Sequence, residues 1–465
     1  MMKKIFYFSL MLAATIGVTS CKNEEADIFE ASAAERLNAA SALYSARLTA
    51  QPNGWAMQYY PTYDDEEPNG AGYLLLCRFN KDYTVDVSGY NWPYWVNTFN
   101  VESKEYEMMH FYTKQYLTDT SYWQVITDNG PVLSFNSYNN ALHMFSDPDN
   151  HETGTGFGGD YEFVIVDAPE DASYMMLKGK KRGTYNLLTP VEEGVDYEDY
   201  LLDVSKFQEV HFSEKSPVGC YLVFGDSIYN MEDANGGLPS IYPVGSDKIA
   251  FQSFNPFLIT KRGNDYYLRF RDAFERDDMD GVLQDLRFIP EEDRFVCPNN
   301  SNFRIEPHNA NEFFWETFDK GHVYTLTRQV TEEEMSEKMR EAFNKAWKDM
   351  KAVNKNFIFD ELQFRIGEEE GTAEWAFKYQ SSNSAREMVM VYRIDKEPNG
   401  FTMTFKEAKT EYAANILNRV EGVKDMMTTL LPHKFKVEGY GTQFDLSKVK
   451  FVSDTDPDFW VVLRY

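Results

Sequence analysis

The feature that most constrains this chain is a period of two. Apolar residues alternate with polar ones in short runs, and Asn, Gly, Pro and Asp cut the runs apart. Tyr73, Leu75, Cys77 and Phe79 make one run, Asn80-Lys81-Asp82 interrupts it, and Tyr83, Val85 and Val87 resume it. Successive side chains of a strand point to opposite faces, so this pattern predicts a β-hairpin with one buried face. Strands are likewise expected over 122–127, 132–135, 141–145 and 161–166. Connections this short leave no room for a parallel crossover, so the sheet is antiparallel. Further strands are expected over 219–224, 248–254, 257–260, 266–270, 357–366, 372–379 and 388–394, with a turn at Pro398-Asn399-Gly400.

Helical spacing replaces alternation in a few places. Ser32 and Glu35 form a capping-box pattern ahead of Leu37, Ala40, Tyr44 and Leu48, predicting a helix from Ser32 to Thr49 that stops at Pro52-Asn53-Gly54. Thr331 and Glu334 repeat the box before a stripe of Met335, Met339, Ala342, Phe343, Ala346, Trp347, Met350 and Val353. Such a stripe is expected to pack on a sheet. A third helix uses Ile416, Leu417, Val420, Val423, Met427 and Leu430 and ends at Pro432. Proline, glycine and acids at Thr189-Pro190-Val191-Glu192-Glu193-Gly194 mark a break. The expected class is α+β, predominantly antiparallel sheet with a few packed amphipathic helices. It is divided into two β-rich domains, 31–190 and 191–465.

The N-terminus reads as an export signal. Lys3 and Lys4 precede an apolar run from Ile5 to Val18, and Val18-Thr19-Ser20-Cys21 resembles a lipoprotein cleavage site. Residues 1–20 are thus expected to be removed, Cys21 to be lipidated and 21–30 to act as an acidic tether; Lys22-Asn23-Glu24-Glu25-Ala26-Asp27 resembles the acidic export signal of Bacteroidota lipoproteins, which implies surface display on the outer membrane. Losing Lys3 and Lys4 leaves 44 cations against 74 acids, a net charge of −30. Repulsion of that size argues against nucleic acid and anionic lipid as partners. No second run of about 20 apolar residues is present, so attachment rests on the acyl chains. Cys77, Cys220 and Cys297 are widely spaced and odd in number, which suits small apolar strand residues better than a disulfide framework.

A family resemblance rests on Asn129-Gly130-Pro131-Val132-Leu133-Ser134-Phe135-Asn136, on Leu142-His143 and Phe145-Ser146-Asp147-Pro148, and on Gly156-Phe157-Gly158-Gly159-Asp160-Tyr161-Glu162-Phe163. Asn53-Gly54-Trp55, residues 177–183 and Phe257-Leu258-Ile259-Thr260 fit the same pattern. Together they resemble an uncharacterised Bacteroidota lipoprotein family, domain of unknown function 4302, over most of the mature chain. The resemblance implies a surface or periplasm-facing lipoprotein associated with nutrient-uptake loci. It brings no catalytic residue.

Motifs for chemistry are weak. Gly154-Thr155-Gly156-Phe157-Gly158-Gly159 matches a dinucleotide fingerprint as a string, yet it precedes a strand instead of opening a helix, so it reads as a hairpin loop. The seven histidines make no H-E-x-x-H, and His143 reads as a half-buried strand residue. Asp454, Asp456 and Asp458, like Asp277, Asp278 and Asp280, lack a complete calcium-loop pattern and read as solvated loops. No metal and no cofactor is expected. The remaining candidate is Tyr90-Asn91-Trp92-Pro93-Tyr94-Trp95, four rings in six residues around a proline. Tyr90, Trp92, Tyr94 and Trp95 form a candidate glycan platform on a loop, since pyranose C–H faces stack on such rings. Burial is the competing fate, because aromatics make up 16% of the chain. The expected function is a non-enzymatic surface lipoprotein that binds a glycan or a component of an uptake complex. The alternative is a glycan or peptide hydrolase whose site converges only in three dimensions.

Overall fold

The computed structural model describes residues 31–63, 70–99, 104, 106–128, 130–148, 156–213, 215–275, 282–327 and 332–465. The leader, Cys21, the tether, Asp277, Asp278 and Asp280 lie outside them, as do Gly154 and Thr155. The described strands pair antiparallel throughout and fall into three sheets, each with its own core. The α+β, antiparallel class expected from the sequence is the one observed.

The first sheet follows helix α1 (Ala33–Leu48), where the Ser32 side chain accepts from Glu35 N and the Glu35 carboxylate accepts from Ser32 N. Strands β1 (Trp55–Tyr59), β2 (Tyr73–Phe79), β3 (Thr84–Phe99), β4 (Tyr106–Thr127), β5 (Pro131–Phe135), β6 (Glu162–Asp167), β7 (Met175–Gly179) and β8 (Tyr185–Pro190) pair in chain order. β8 returns to β1, Trp55 opposite Pro190, and closes the barrel. Its inside is filled: Tyr73, Leu75, Cys77 and Phe79 meet Trp55, Tyr59, Phe145 and Phe163 in one core. The expected hairpin of β2 and β3 forms, but β2 is covered on both faces, because Leu74 and Leu76 pack outward against the second unit.

Helix α2 (Tyr197–His211) introduces the second sheet and was not expected. Asp196 caps it, and Tyr197, Tyr200, Leu201 and Val204 are buried along one face. Strands β9 (Cys220–Phe224), β10 (Ser227–Glu232), β11 (Ser240–Pro243), β12 (Ser253–Phe254), β13 (Phe257–Arg262), β14 (Asp265–Phe274), β15 (Leu283–Ile289), β16 (Arg294–Cys297) and β17 (Asn300–Pro307) run in the order β12-β11-β10-β9-β17-β16-β15-β14-β13. The first strand thus pairs with the last, Cys220 opposite Pro307, and the two sheet edges are the consecutive strands β12 and β13. Residues 248–251, expected in a strand, form the one-turn helix α3 (Lys248–Phe251), which Asp247 caps through Ala250 N.

The third sheet is a barrel again. Helix α4 (Ala310–Asp319) leads to β18 (Tyr324–Thr327), α5 (Glu337–Val353), β19 (Phe357–Ile366), β20 (Thr372–Ser381), β21 (Ser384–Glu397), β22 (Gly400–Ala408), α6 (Glu411–Arg419), α7 (Glu421–Asp425), β23 (Lys434–Gly439), β24 (Lys448–Ser453) and β25 (Trp460–Arg464). Thr325 opposite Arg464 closes it. Met339, Phe343, Ala346 and Met350 of α5 are buried in its core. The cap of α5 is Ser336, not Thr331, which lies outside the described residues. Glu334 instead takes ion pairs from Lys448 and Arg464. The stretch 191–465, expected as one domain, therefore holds two sheets, with the expected break at 189–194 falling at the end of β8.

The three cysteines are free and buried. Cys220 faces the Met231 carbonyl and Cys297 that of Val282, and burial pushes the Cys77 thiol up to about 12.

Candidate functional site

The expected aromatic platform does not lie on a loop. Residues 90–95 belong to β3, whose pairing with β2 ends at Gly89, while β5 joins β4 only from Trp123 onward. Beyond those points β3 and β4 pair only with each other, as a two-stranded ribbon extending past the barrel, with Tyr94 opposite Phe111 and Trp95 opposite His110. A bulge between Tyr90 and Trp92 sends those two residues to different places. Trp92 is 6% exposed, packs in the first core and stands 5.9 Å from Phe145. Its ring lies over Gly89, where any β-carbon would collide with it. Tyr90 is half-buried and joins the core of the second unit. Two of the four predicted rings are thus not neighbours on one face. The side chains of Tyr94 and Trp95 lie outside the described residues.

Tyr90 does line a cleft. The first barrel, α2 and the third barrel meet around an opening of about 860 Å³. The first barrel is joined to the start of α2 at Asn53, whose side-chain amide donates to the Glu192 and Val195 carbonyls and whose backbone carbonyl accepts from the Tyr197 hydroxyl at 2.6 Å. Gly54 follows with φ +72 and no room for a β-carbon between Cys77 O and the Tyr197 hydroxyl. On the opposite side, the Asp293 carboxylate accepts from Thr442 Oγ1 and, at 2.8 Å, from Gln443 N, which seats the loop between β23 and β24. Phe444 of that loop enters the core of the second unit beside His211, at 5.6 Å between rings. A second, smaller opening of about 140 Å³ lies along His211, Phe212 and Phe444.

The larger cleft mixes rings with neutral hydrogen-bonding groups. Tyr90 and Tyr440 are half-buried, and Gln208 and Asn235 supply amides, while the buried Thr442 hydroxyl is taken up by Asp293 and Phe444 N. The Tyr440 hydroxyl donates to the Glu333 carbonyl at 2.9 Å, while Lys448 sits 5.3 Å from the centre of its ring, so the ring is held from both ends. Three of the rim cations are engaged: Lys114 pairs with Glu209 at 3.1 Å, and Lys448 and Arg464 share Glu334 at 2.7 and 2.9 Å. Burial works to raise the Glu334 carboxyl, but hydrogen bonds and charge from Lys448 and Arg464 outweigh it and hold it below the usual value. The arrangement can hold an uncharged polar molecule with flat apolar faces.

Other sequence candidates have structural explanations. Gly156, Phe157, Gly158, Gly159 and Asp160 are buried across the end of the first barrel, Phe157 in its core. The Asp160 carboxylate accepts from Lys181 N and Arg182 N, and the Tyr59 hydroxyl bonds to its backbone at both ends. Asp454 pairs with Lys436 and Asp456 with Lys338. Among the described residues no group of three or more His, Cys, Asp or Glu is placed to hold a metal ion. Sequence reasoning missed α2, which lines the cleft. Asp196 with Asp199 as a cap, then Tyr200, Leu201 and Val204 at helical spacing, was the available signal.

A family model described as a domain of unknown function, DUF4302, matches residues 25–275. The match covers β1 to β14, a narrower span than the resemblance read from the sequence, and stops inside the second sheet. No curated protein matches the chain.

Proposed function

The chain belongs to the DUF4302 family, and from that premise we propose that it is a lipid-anchored outer-membrane surface protein that binds a glycan or related nutrient without transforming it. The cleft where the three units meet carries this reading. Half-buried Tyr90 and Tyr440 offer ring faces for pyranose C–H groups, and the side-chain amide of exposed Asn235 and the amide oxygen of Gln208 offer partners for hydroxyls. Lys114, Lys448 and Arg464, three of the cleft's cations, are tied to carboxylates, which lessens its pull on an acidic ligand. The barrel cores, packed with aromatic side chains, support a site between the units. Cys21 provides the anchor and the acidic tether the outward address in this reading, and an uptake complex in the same membrane receives the ligand.

One experiment with two arms tests it. Cells fed labelled palmitate should label the wild type and not Cys21→Ser. The mature protein, run through gels containing individual polysaccharides, should be retarded by at least one, and Tyr440→Ala should weaken that binding about ten-fold, a typical loss for a central aromatic contact. Absence of label removes the anchor, absence of retardation removes the ligand, and release of reducing ends would replace binding with hydrolysis.

A further inference from the structure

A smaller recess adjoins the cleft. The opening of about 140 Å³ beside His211 shares a wall with the larger one, because Phe212, Ser213 and Asn235 line both. Its other sides come from the turn that follows α2, from the first residue of β9 and from residues 233–235 between β10 and β11. Phe444, brought over from the third barrel, and Phe212 are both buried and give it an apolar floor. A cavity of about 150 Å³ is enough to take up a benzene ring, so the recess suits one ring of a ligand and no more.

Its shape is set by the fold before any ligand arrives. Gln208 Nε2 donates to Asn235 O at 2.9 Å, which fastens the 233–235 segment to α2. Gly219 leaves no space for a β-carbon against Met231 O, so β9 starts hard against β10. Ser216 Oγ donates to Val218 O at 2.5 Å and closes the turn after α2 on itself. The carboxylates here are engaged as well: Glu232 accepts from the Tyr242 hydroxyl at 2.6 Å and from Lys248 at 2.9 Å, and Asp233 from Lys248 at 2.7 Å. The Cys220 thiol faces Met231 O, and burial pushes its pKa well up, so it offers no nucleophile. Two polar groups keep capacity. Among the described residues the side-chain amide of exposed Asn235 makes no hydrogen bond, and Ser213 Oγ, which accepts from Lys215 N at 3.1 Å, still has its proton to donate. Both belong to the wall between the two openings.

We propose that the recess takes a single-ring branch of a glycan whose main chain lies in the cleft, with Asn235 and Ser213 hydrogen-bonded to hydroxyls near the branch point. This inference rests on the reading of the cleft as a glycan site. A ligand that fills both openings must cross their shared wall, and the groups with hydrogen bonds left to give stand there. The apolar floor suits the C–H face of a sugar ring. Glu232 and Asp233 outnumber Lys248, which disfavours an acidic branch. The preformed walls mean that little has to be ordered when the branch enters.

Calorimetry with oligosaccharides of mannan, xylan and β-1,4-glucan, each as a linear chain and as the same chain carrying one single-ring branch, tests this. For the backbone that binds, the branched form should bind about ten-fold tighter than the linear one. Ser216→Phe fills the recess from a position that does not line the cleft, so it should bring the branched form down to the linear level and leave the linear form unchanged. Asn235→Ala, at an exposed position, should keep the urea midpoint and weaken the branched form about five-fold, the effect of losing one hydrogen bond. It carries the test if Ser216→Phe does not fold. Tyr440→Ala, in the cleft, should weaken both forms alike. Equal binding of the two forms by the wild type, or a preference for the branched form that survives both recess variants, overturns the branch pocket and leaves the cleft standing. Binding of neither form of any of the three backbones brings down the reading of the cleft, and the recess with it.

Discussion

Single residues decide which of the sequence candidates are available to a ligand. Trp92 was attractive because of its neighbours, yet the bulge beside it and the missing side chain of Gly89 fold it into the first core. Trp92→Ala should therefore behave as a cavity mutation and lower stability by about 3–5 kcal/mol in urea unfolding. A purely functional residue would leave the midpoint unchanged. The sequence could show that four rings were close, but not that an irregular pairing would separate Tyr90 from Trp92. Histidines set the pH response. Burial lowers the pKa of His143, His211 and His308, with Asp293, 3.9 Å from His211, opposing only in part. Their unfolded forms bind protons first as pH falls through about 6.5, so the stability present above that value is lost as the pH drops further. The urea midpoint should fall between pH 7.5 and 5.5, and His211→Gln should flatten that fall.

At the scale of elements, what was readable had a local cause. β2, β19, β20 and the Pro398-Asn399-Gly400 turn sit where alternation and turn residues place them. Residues 141–145 and 248–251 have enough apolar character for a strand, but Asn139 and Asp247 turn the chain with hydrogen bonds to His143 and Ala250. The triplet Pro-Asn-Gly occurs at both 52–54 and 398–400 without marking a repeat, since the first joins α1 to β1 and the second joins β21 to β22. Helix caps offer a direct test. Ser336 Oγ accepts from Met339 N and from Trp460 N, so it ties α5 to β25 as well as starting the helix. Ser336→Ala should cost about 1–2 kcal/mol by urea denaturation, at the upper end for a cap, whereas Ser32→Ala at the exposed start of α1 should cost less.

For the molecule as a whole, long-range strand pairing was not legible, because Trp55 against Pro190, which closes the first barrel, and Cys220 against Pro307, within the open second sheet, join segments that share no local pattern. It has consequences for where the chain can be cut. A protein ending at residue 275, where the family match ends, would lack β15, β16 and β17 and so one of the two partners of β9 and one of the two partners of β14. The first barrel should survive such a truncation and the second sheet should not, which limited proteolysis would show as protection confined to residues before about 190. Phe444→Ala should instead leave all three sheets folded while speeding cleavage in the connections around Phe444 and Asp293.

The pairing of β9 with β17 also decides how the molecule carries load. The chain enters the second sheet at Cys220 and leaves it at Pro307, and these two residues face each other on one rung. A pull between the first and third barrels would act on that rung alone and peel the two strands apart one hydrogen bond at a time, in the manner of a zip. What resists such a pull is the grip of Asp293 on Thr442 and Gln443 and the seating of Phe444, so the loop between β23 and β24 serves as the molecule's mechanical latch.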